Sequence, residues 1–286
     1  MHVTVFTSTF NRAHLIQRLY ESLKSQTYKD FEWLIVDDGS IDDTETIVKS
    51  FINENKIYVR YFHQTNSGKH RAINYGVNKA KGELFFIVDS DDFLPYNALE
   101  ITTKYYHRIK DNKNIGGICG LDITPKGNTI GSGLPFDEIV CSCLDVRIKY
   151  HVTGDMKEVF RTQVMREFPF PEFESERFCP EALLWNRIAQ KYDLLFFNEP
   201  IYIAEYQAGG ITDNIVKARM NSPIATVTTY QELNSYSIPL VQKVKAAINY
   251  WRFRPCVSKG KSIPKLPWYW FWCHPVGYLM HLKDKR

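Results

Sequence analysis

Two groups of aspartates, each at the end of an apolar run, set the chemistry this sequence can do. The first run is Trp33-Leu34-Ile35-Val36-Asp37-Asp38-Gly39-Ser40, and the second is Leu84-Phe85-Phe86-Ile87-Val88-Asp89-Ser90-Asp91-Asp92. A short apolar run rich in aromatic and β-branched residues reads as a strand buried on both faces. Carboxylates at its carboxyl end stand where open α/β sheets bind ligands. Acids gathered there repel one another unless a cation or hydrogen-bond donors accompany them, which suits a nucleotide and a divalent metal. A hard cation takes oxygen ligands, and Mg²⁺ is commonly held by one or two carboxylates plus substrate phosphates; Asp89-Ser90-Asp91 supplies such a pair.

The elements that must position these acids alternate along the chain. Val3 to Phe6 reads as a strand, and His14 to Leu23 spaces its apolar residues along one helical face. Phe31 to Val36 is a second strand, followed by a helix from about Asp43, which can cap it, to Asn53. Tyr58 to Phe62 is a third strand, Arg71 to Ala80 a helix, and Leu84 to Val88 a fourth strand. This series predicts a mostly parallel, Rossmann-like α/β sheet with right-handed crossovers. Beyond Pro95 the pattern loosens. A helix is expected around Ala98 to Arg108, a strand near Ile115 to Leu121, another strand at Glu158 to Val164 and a helix at Glu181 to Gln190.

The motifs in this frame resemble the family 2 glycosyltransferases of the A-type fold. The resemblance rests on Thr7-Ser8-Thr9-Phe10-Asn11-Arg12, on Gln26 to Glu32, on Asp37-Asp38-Gly39-Ser40, on Asn66-Ser67-Gly68-Lys69-His70-Arg71-Ala72-Ile73-Asn74 and on Asp89-Ser90-Asp91-Asp92. These blocks keep the family's order and spacing across residues 3–95, and the likeness continues more weakly to about Thr212. It implies an inverting transferase that moves a sugar from a nucleoside diphosphate, usually a uridine one, to an acceptor hydroxyl.

Carried onto this sequence, the resemblance places the pyrimidine near Thr7, Thr9, Asn11 and Arg12, with Asp38 accepting from the base; a carboxylate is a strong acceptor for the uracil N3–H. Asp89 with Ser90 would hold the ribose side, Asp91 the Mg²⁺ or Mn²⁺, and Asp92 would help indirectly. Gly68 permits close backbone approach, and Lys69, His70 and Arg71 would face the diphosphate at a helix start. The acceptor hydroxyl must lose its proton, which calls for a general base. Aligning on Leu184-Trp185 puts Glu181 where the family has its basic Asp, and Pro180 where it has Glu. Glu174 and Glu176 are the alternatives. Gly154-Asp155 would contact the acceptor, and Glu205 to Thr212 would close over the diphosphate, although plain turns account for both segments. Phe168, Phe170 and Phe173 read as core or acceptor-pocket walls.

The remaining signals bound the setting. At 286 residues, 44% of them hydrophobic, the chain can bury a large core, and its small net charge of +4, with no dense Arg/Lys face with interleaved aromatics in the first two thirds, makes nucleic acid an unexpected partner. The start, Met1-His2-Val3-Thr4-Val5, enters a strand directly, so no secretory signal is expected. The six cysteines lack metal-finger spacing and are expected to be reduced thiols. Residues 1–214 read as a catalytic domain, with a nucleotide-binding half at 1–95 and an acceptor-binding half at 96–214. Residues 215–286 read as a helical, aromatic-rich appendage with breaks at Pro223 and Pro239. The apolar stretch from Leu266 to Leu282 is shorter than the ~20 residues a spanning helix wants and is interrupted by His274, Pro275 and His281, but its Trp268-Tyr269-Trp270-Phe271-Trp272 run, with Lys259, Lys261 and Lys265 before and Lys283, Lys285 and Arg286 after, suits an anionic interface.

The expected function is metal-dependent inverting glycosyl transfer to a saccharide or lipid-linked saccharide in bacterial surface polysaccharide synthesis, at the inner face of the cytoplasmic membrane. A sugar nucleotidyltransferase would need a glycine-rich loop after the first strand, which Thr7 to Asn11 lacks. A catalytically silent sugar-nucleotide-binding protein would have lost some of the acids that this chain keeps.

Overall fold

The computed structural model describes residues 2–205, 210 and 213–285. Its first half alternates β1 (Val3–Thr9), α1 (Ala13–Lys24), β2 (Phe31–Asp37), α2 (Thr44–Glu54), β3 (Val59–His63), α3 (Lys69–Lys79), β4 (Leu84–Ile87) and α4 (Ala98–Ile109). Then follow β5 (Ile115–Ile123), β6 (Glu138–Cys141), α5 (Cys143–Ile148), β7 (Met156–Arg161), α6 (Thr162–Glu167), α7 (Glu181–Ile188) and β8 (Asp193–Ile203). The C-terminal helices are α8 (Ile215–Asn221), α9 (Pro223–Ser235), α10 (Leu240–Phe253) and, after a 3₁₀ turn at Trp268–Cys273, α11 (His274–Asp284).

The strands form one sheet in the order β3-β2-β1-β4-β7-β5-β8-β6. The pairs β1 with β2, β1 with β4 and β2 with β3 are parallel, so the carboxyl ends of these strands share one edge, where Asp37 and Asp89 emerge. β7 runs antiparallel to both β4 and β5, and β6 antiparallel to β8. Every residue of β2 is buried, as expected of a strand covered on both faces. Stacked rings of Tyr20 and Phe51, 4.0 Å apart, join α1 and α2 over Trp33. The result is the α/β, mostly parallel sheet that the alternation predicts.

The chain divides into two compact units, the first made of residues 1–169 and 188–207 and the second of 170–187 and 208–286. This differs from a linear cut at 214. The segment 170–187 belongs with the C-terminal helices because its polar groups are satisfied there. Glu176 accepts from the backbone N–H groups of Ile224 (2.6 Å) and Ala225 (2.8 Å), and Arg187 grips Glu232 with two bonds of 2.8 and 2.6 Å.

Two local expectations also change, and a third holds. Asp43 makes no side-chain capping bond at α2; Asp42 instead accepts from the Thr44 N–H and hydroxyl. The strand expected at 158–164 ends at Arg161, where Thr162 turns the chain into α6 and donates to the Gly82 carbonyl at 2.6 Å. The breaks at Pro223 and Pro239 are real: Pro223 occupies the first position of α9, where its missing N–H costs nothing, and Pro239 precedes α10.

Candidate nucleotide-binding site

Three loops at the carboxyl edge of the sheet are tied to one another by side chains of the loops themselves. Asn11 takes a left-handed conformation (φ 54°) in which its N–H reaches Ser40 Oγ at 2.8 Å, while its side-chain oxygen accepts from the Ile41 N–H at 2.9 Å. Asn tolerates that conformation better than most residues. Asp42 Oδ2 accepts from the Ala13 N–H at 3.0 Å, so the loop after β1 is clamped twice to the loop after β2.

Asp38 holds the third loop. Its Oδ1 accepts from Gln64 Nε2 (2.7 Å) and the Ser67 N–H (2.9 Å), and its Oδ2 from the Gly68 N–H (2.8 Å). Gly68 (φ 105°) stands immediately before α3 and needs the freedom that only glycine has. Gly39 (φ 88°) is needed for a second reason, since a Cβ there would lie 2.8 Å from the Asn66 nitrogen. Asp38 is 4% exposed, and its first role is to shape the 64–68 loop rather than to stand open. Asp37 is likewise spent on structure, accepting from the Ser40 N–H and the Tyr61 hydroxyl.

α3 then delivers its first residue to the second acidic group. Lys69 Nζ lies 2.6 Å from Asp89 Oδ1, and an Arg12 nitrogen lies 3.9 Å from Asp91 Oδ2. Burial pushes the Asp89 carboxyl up, but Lys69, Lys157 and Arg12 outweigh it and hold the group below the ordinary carboxylate range. Arg71 sits half-buried in the first turn of α3, and Ser90 is buried between the two acids. A helix N-terminus with Lys69, beside the Asp89-Ser90-Asp91 carboxylates and Arg12, can receive an anionic diphosphate.

Behind these acids lies a layer that no local motif announces. The Tyr202 hydroxyl accepts from the Asp89 N–H (3.1 Å) and donates to Asp92 Oδ2 (2.6 Å), and Asp92 Oδ1 accepts from the Glu205 N–H at 2.8 Å. Lys157 Nζ stands 3.8 Å from the centre of the Tyr202 ring. Arg18 donates to the Asp91 carbonyl, pairs with Glu205 and lies over Phe93. Burial, with Asp89 close by, pushes Asp92 up to about 6. Burial also raises Asp122 on β5 to about 7, partly offset by Lys157.

Several expected residues take other places. Thr7 is fully buried and its hydroxyl accepts the Trp33 indole N–H at 3.0 Å, so its side chain is packed in the core. Thr9 is only 2% exposed and contributes its carbonyl, which accepts from the Asp38 N–H. Glu176, an alternative base, is spent on the first turn of α9, and Glu174 is exposed beside Lys261 (2.9 Å). Glu181 opens α7 and is half-buried. Phe170 is core, packed edge-on to Trp185. Gly154 (φ 79°) backs onto Gly131, where a Cβ would meet the Gly131 Cα at 2.3 Å, so its turn is structural. Most of the segment expected to close over the diphosphate, Tyr206 to Gly209 with Ile211 and Thr212, lies outside the described residues.

No group of three or more His, Cys, Asp or Glu side chains among the described residues is placed to hold a metal ion by itself. The half-exposed carboxylates of Asp89 and Asp91 nonetheless offer the hard oxygen donors that Mg²⁺ or Mn²⁺ takes when substrate phosphates complete its shell.

The sequence of this edge, from β1 into β5, matches the family model described as Glycosyl transferase family 2 over residues 4–120. Residues 4–120 are a family 2 glycosyltransferase domain. Across 255 residues the chain is 28% identical to an uncharacterized glycosyltransferase of Rickettsia felis, covering 86% of this chain and 37% of that protein. The chain thus spans well under half the length of that curated relative. It is 27% identical over 190 residues to the GalNAc(5)-diNAcBac-PP-undecaprenol beta-1,3-glucosyltransferase of Campylobacter jejuni, covering 64% of this chain and 58% of that one. Among solved structures, residues 1–349 of S. aureus TarS in complex with UDP-GlcNAc superpose with a TM-score of 0.64 at 18% identity, covering 99% of this chain and 89% of that chain. The Pyrobaculum calidifontis mannosyltransferase PcManGT with GDP-Man and Mn²⁺ superposes with a TM-score of 0.58 at 16% identity, covering 99% of this chain and 75% of that chain. These structural likenesses establish the fold of the glycosyltransferase domain.

Proposed function

We propose that this chain is a metal-dependent inverting glycosyltransferase that moves a hexosyl or N-acetylhexosaminyl group from a nucleoside diphosphate, the uridine one, to a hydroxyl of a saccharide or lipid-linked saccharide. The observation that carries the reading is the linked chain from Asp38 through the 64–68 loop to Lys69 on Asp89, which brings a helix N-terminus, cations and paired carboxylates to one strand edge. Support for the uridine donor comes from the TarS complex with UDP-GlcNAc, and support for a lipid-linked acceptor from the name of the Campylobacter jejuni relative. Such an acceptor would place the chain peripherally at the inner face of a bacterial cytoplasmic membrane, in surface polysaccharide synthesis.

In this reading Asn11 and Arg12 border the base, Asp38 keeps the loop around it closed, and Asp89 with Ser90 meets the ribose. Lys69 and Arg71 carry positive charge to the diphosphate. Asp91, with Asp89 beside it, would hold Mg²⁺ or Mn²⁺, which when bound stabilises the charge that builds on the departing diphosphate. Glu181, in the first turn of α7, takes the acceptor's proton as general base.

The test is a screen of sugar nucleotides for hydrolysis and transfer, followed by the anomeric configuration of the product. A retained configuration would overturn the single displacement. Asp91→Asn, and a chelator applied to the native chain, should each abolish turnover, and full activity in either case would remove the metal. Glu181→Gln should lower turnover by about a hundredfold or more while leaving donor binding by calorimetry intact. If it stays active, the base is elsewhere.

A further inference from the structure

The C-terminal segment of the second unit is amphipathic in an inverted sense. Along residues 268–285 the buried positions are Trp270, Cys273, Gly277 and His281, spaced three and four apart, which is one helical stripe. That stripe is fastened to α10. Trp270 and Cys273 pack on Ala247, the Trp251 indole N–H donates to the Trp270 carbonyl at 3.2 Å, and a Cβ on Gly277 would come within 2.6 Å of the Ile248 carbonyl.

The opposite stripe of a surface helix is ordinarily polar. Here it is Trp268 (87% exposed), Phe271, Trp272, Val276, Leu279 (67% exposed) and Leu282. A face of that kind is a binding surface or a liability, not a neutral piece of exterior. Its charge frame chooses the occupant. Residues 259–286 carry six Lys and Arg against one acid, Asp284, and that acid is neutralised by Arg252 through bonds of 2.5 and 2.7 Å. Lys265 before the aromatics and Lys283 and Lys285 after them are exposed. A second copy of this chain would set like charges against like, whereas an anionic headgroup layer complements them. Trp and Tyr rings beside aliphatic side chains match the boundary between headgroups and acyl chains. No helix among the described residues is long and apolar enough to cross a membrane.

We propose that residues 268–285 are a bilayer-binding face that lies in the plane of an anionic membrane, with Trp268, Phe271, Trp272, Val276, Leu279 and Leu282 inserted and Lys265, Lys283 and Lys285 on headgroup phosphates. The face is held rigid by α10, so it binds as a preformed surface rather than by folding on contact. The proposal concerns lipid alone and stands or falls apart from the donor chemistry.

The experiment is co-sedimentation of the full chain with vesicles of phosphatidylcholine alone and of equal parts phosphatidylcholine and phosphatidylglycerol, read together with tryptophan emission. The expected result is binding to the anionic vesicles with a blue shift, weakened but not lost at about 1 M salt, where the screening length falls to about 3 Å. Trp272→Ser with Leu279→Ser should weaken binding by roughly tenfold or more, with circular dichroism unchanged because both positions face outward. Three results would overturn the proposal: no binding to either vesicle, binding that the double variant leaves intact, or a dimer in light scattering that the double variant dissociates. Loss of sugar transfer with vesicle binding retained would count against the proposed function and not against this face.

Discussion

Asp38 shows how one residue can look like a ligand contact and act first as a brace. Its carboxylate accepts from Gln64 and from two consecutive backbone N–H groups, those of Ser67 and Gly68. A buried donor left without an acceptor costs about 1–3 kcal/mol. Asp38→Ala should therefore lower stability by about 2–4 kcal/mol as well as weaken donor binding, measured by urea unfolding and by calorimetry with uridine diphosphate. A residue that only touched the base would lose affinity with no change in unfolding, and that result would return Asp38 to the simpler role. Asp122 offers a prediction of opposite sign to the usual carboxylate. Burial raises it to about 7, so the folded chain keeps a proton that the unfolded chain releases near pH 4. The native state then binds more protons between those values, and stability falls as pH rises from about 4 to about 7. Asp122→Asn should flatten that decline in urea midpoints across the same range. Parallel curves for the two proteins would mean that Asp122 is ionised in the fold. Nothing near Asp122 in sequence announces this, because its burial comes from its place on β5 and its charged neighbours Lys157 and Glu158 lie on β7, with Asp155 just before that strand.

At the scale of elements, legibility follows burial. β1, β2 and β4 are buried, and Trp33–Val36 and Leu84–Val88 appear as unbroken apolar runs with acids at their ends, so the alternating order of the first half reads directly. β8 is the strand that the sequence pattern conceals. Its Asp193-Leu-Leu-Phe-Phe-Asn-Glu-Pro-Ile-Tyr-Ile carries Pro200 mid-strand and pairs with β5 through register shifts, which hide a strand from any period-two pattern. Tyr202, the residue that ties Asp89 to Asp92, sits on that hidden strand, and so the layer behind the carboxylates was hidden with it. The Asn66 to Asn74 loop was legible because glycine, lysine and a helix start stand together in sequence. Its mechanical basis makes a test. Helix propensity alone would have Gly68→Ala stabilise the chain by removing unfolded-state freedom. At φ 105° the alanine is instead strained, at a cost of about 1–3 kcal/mol. The strain falls on the N–H that meets Asp38 and on the residue before Lys69. Gly68→Ala should therefore lower both the melting temperature and the affinity for uridine diphosphate. A melting temperature at or above the native value would show that the loop relaxes freely.

At the scale of the molecule, the sequence suggests a tail that can be removed, and the structure makes part of that tail a core. Tyr250 donates to the Pro264 carbonyl at 2.9 Å, Trp270 and Cys273 cover Ala247, and Asp284 closes a two-bond pair with Arg252. A run of five aromatics reads as uniform because sequence does not say which of them turn inward; spacing against α10 decides that Trp270 does and Trp268 does not. Deleting residues from Ser262 onward would strip the cover from α10, expose Tyr250 and Trp251 and leave Arg252 without its acid. Breaking a partly buried, doubly bonded ion pair and opening an apolar contact together put the cost at several kcal/mol, about 3–5 for the pair alone if its partner stays buried. The deletion should therefore remove a cooperative helical transition in thermal circular dichroism or drive aggregation. Outward substitutions such as Trp268→Ser should change unfolding by no more than about 0.5 kcal/mol. A truncated chain that melts with the same helical content per residue as the native one would show that α9 and α10 stand without their cover. In that case the whole aromatic segment, inner stripe included, would be an appendage, as its sequence first suggests.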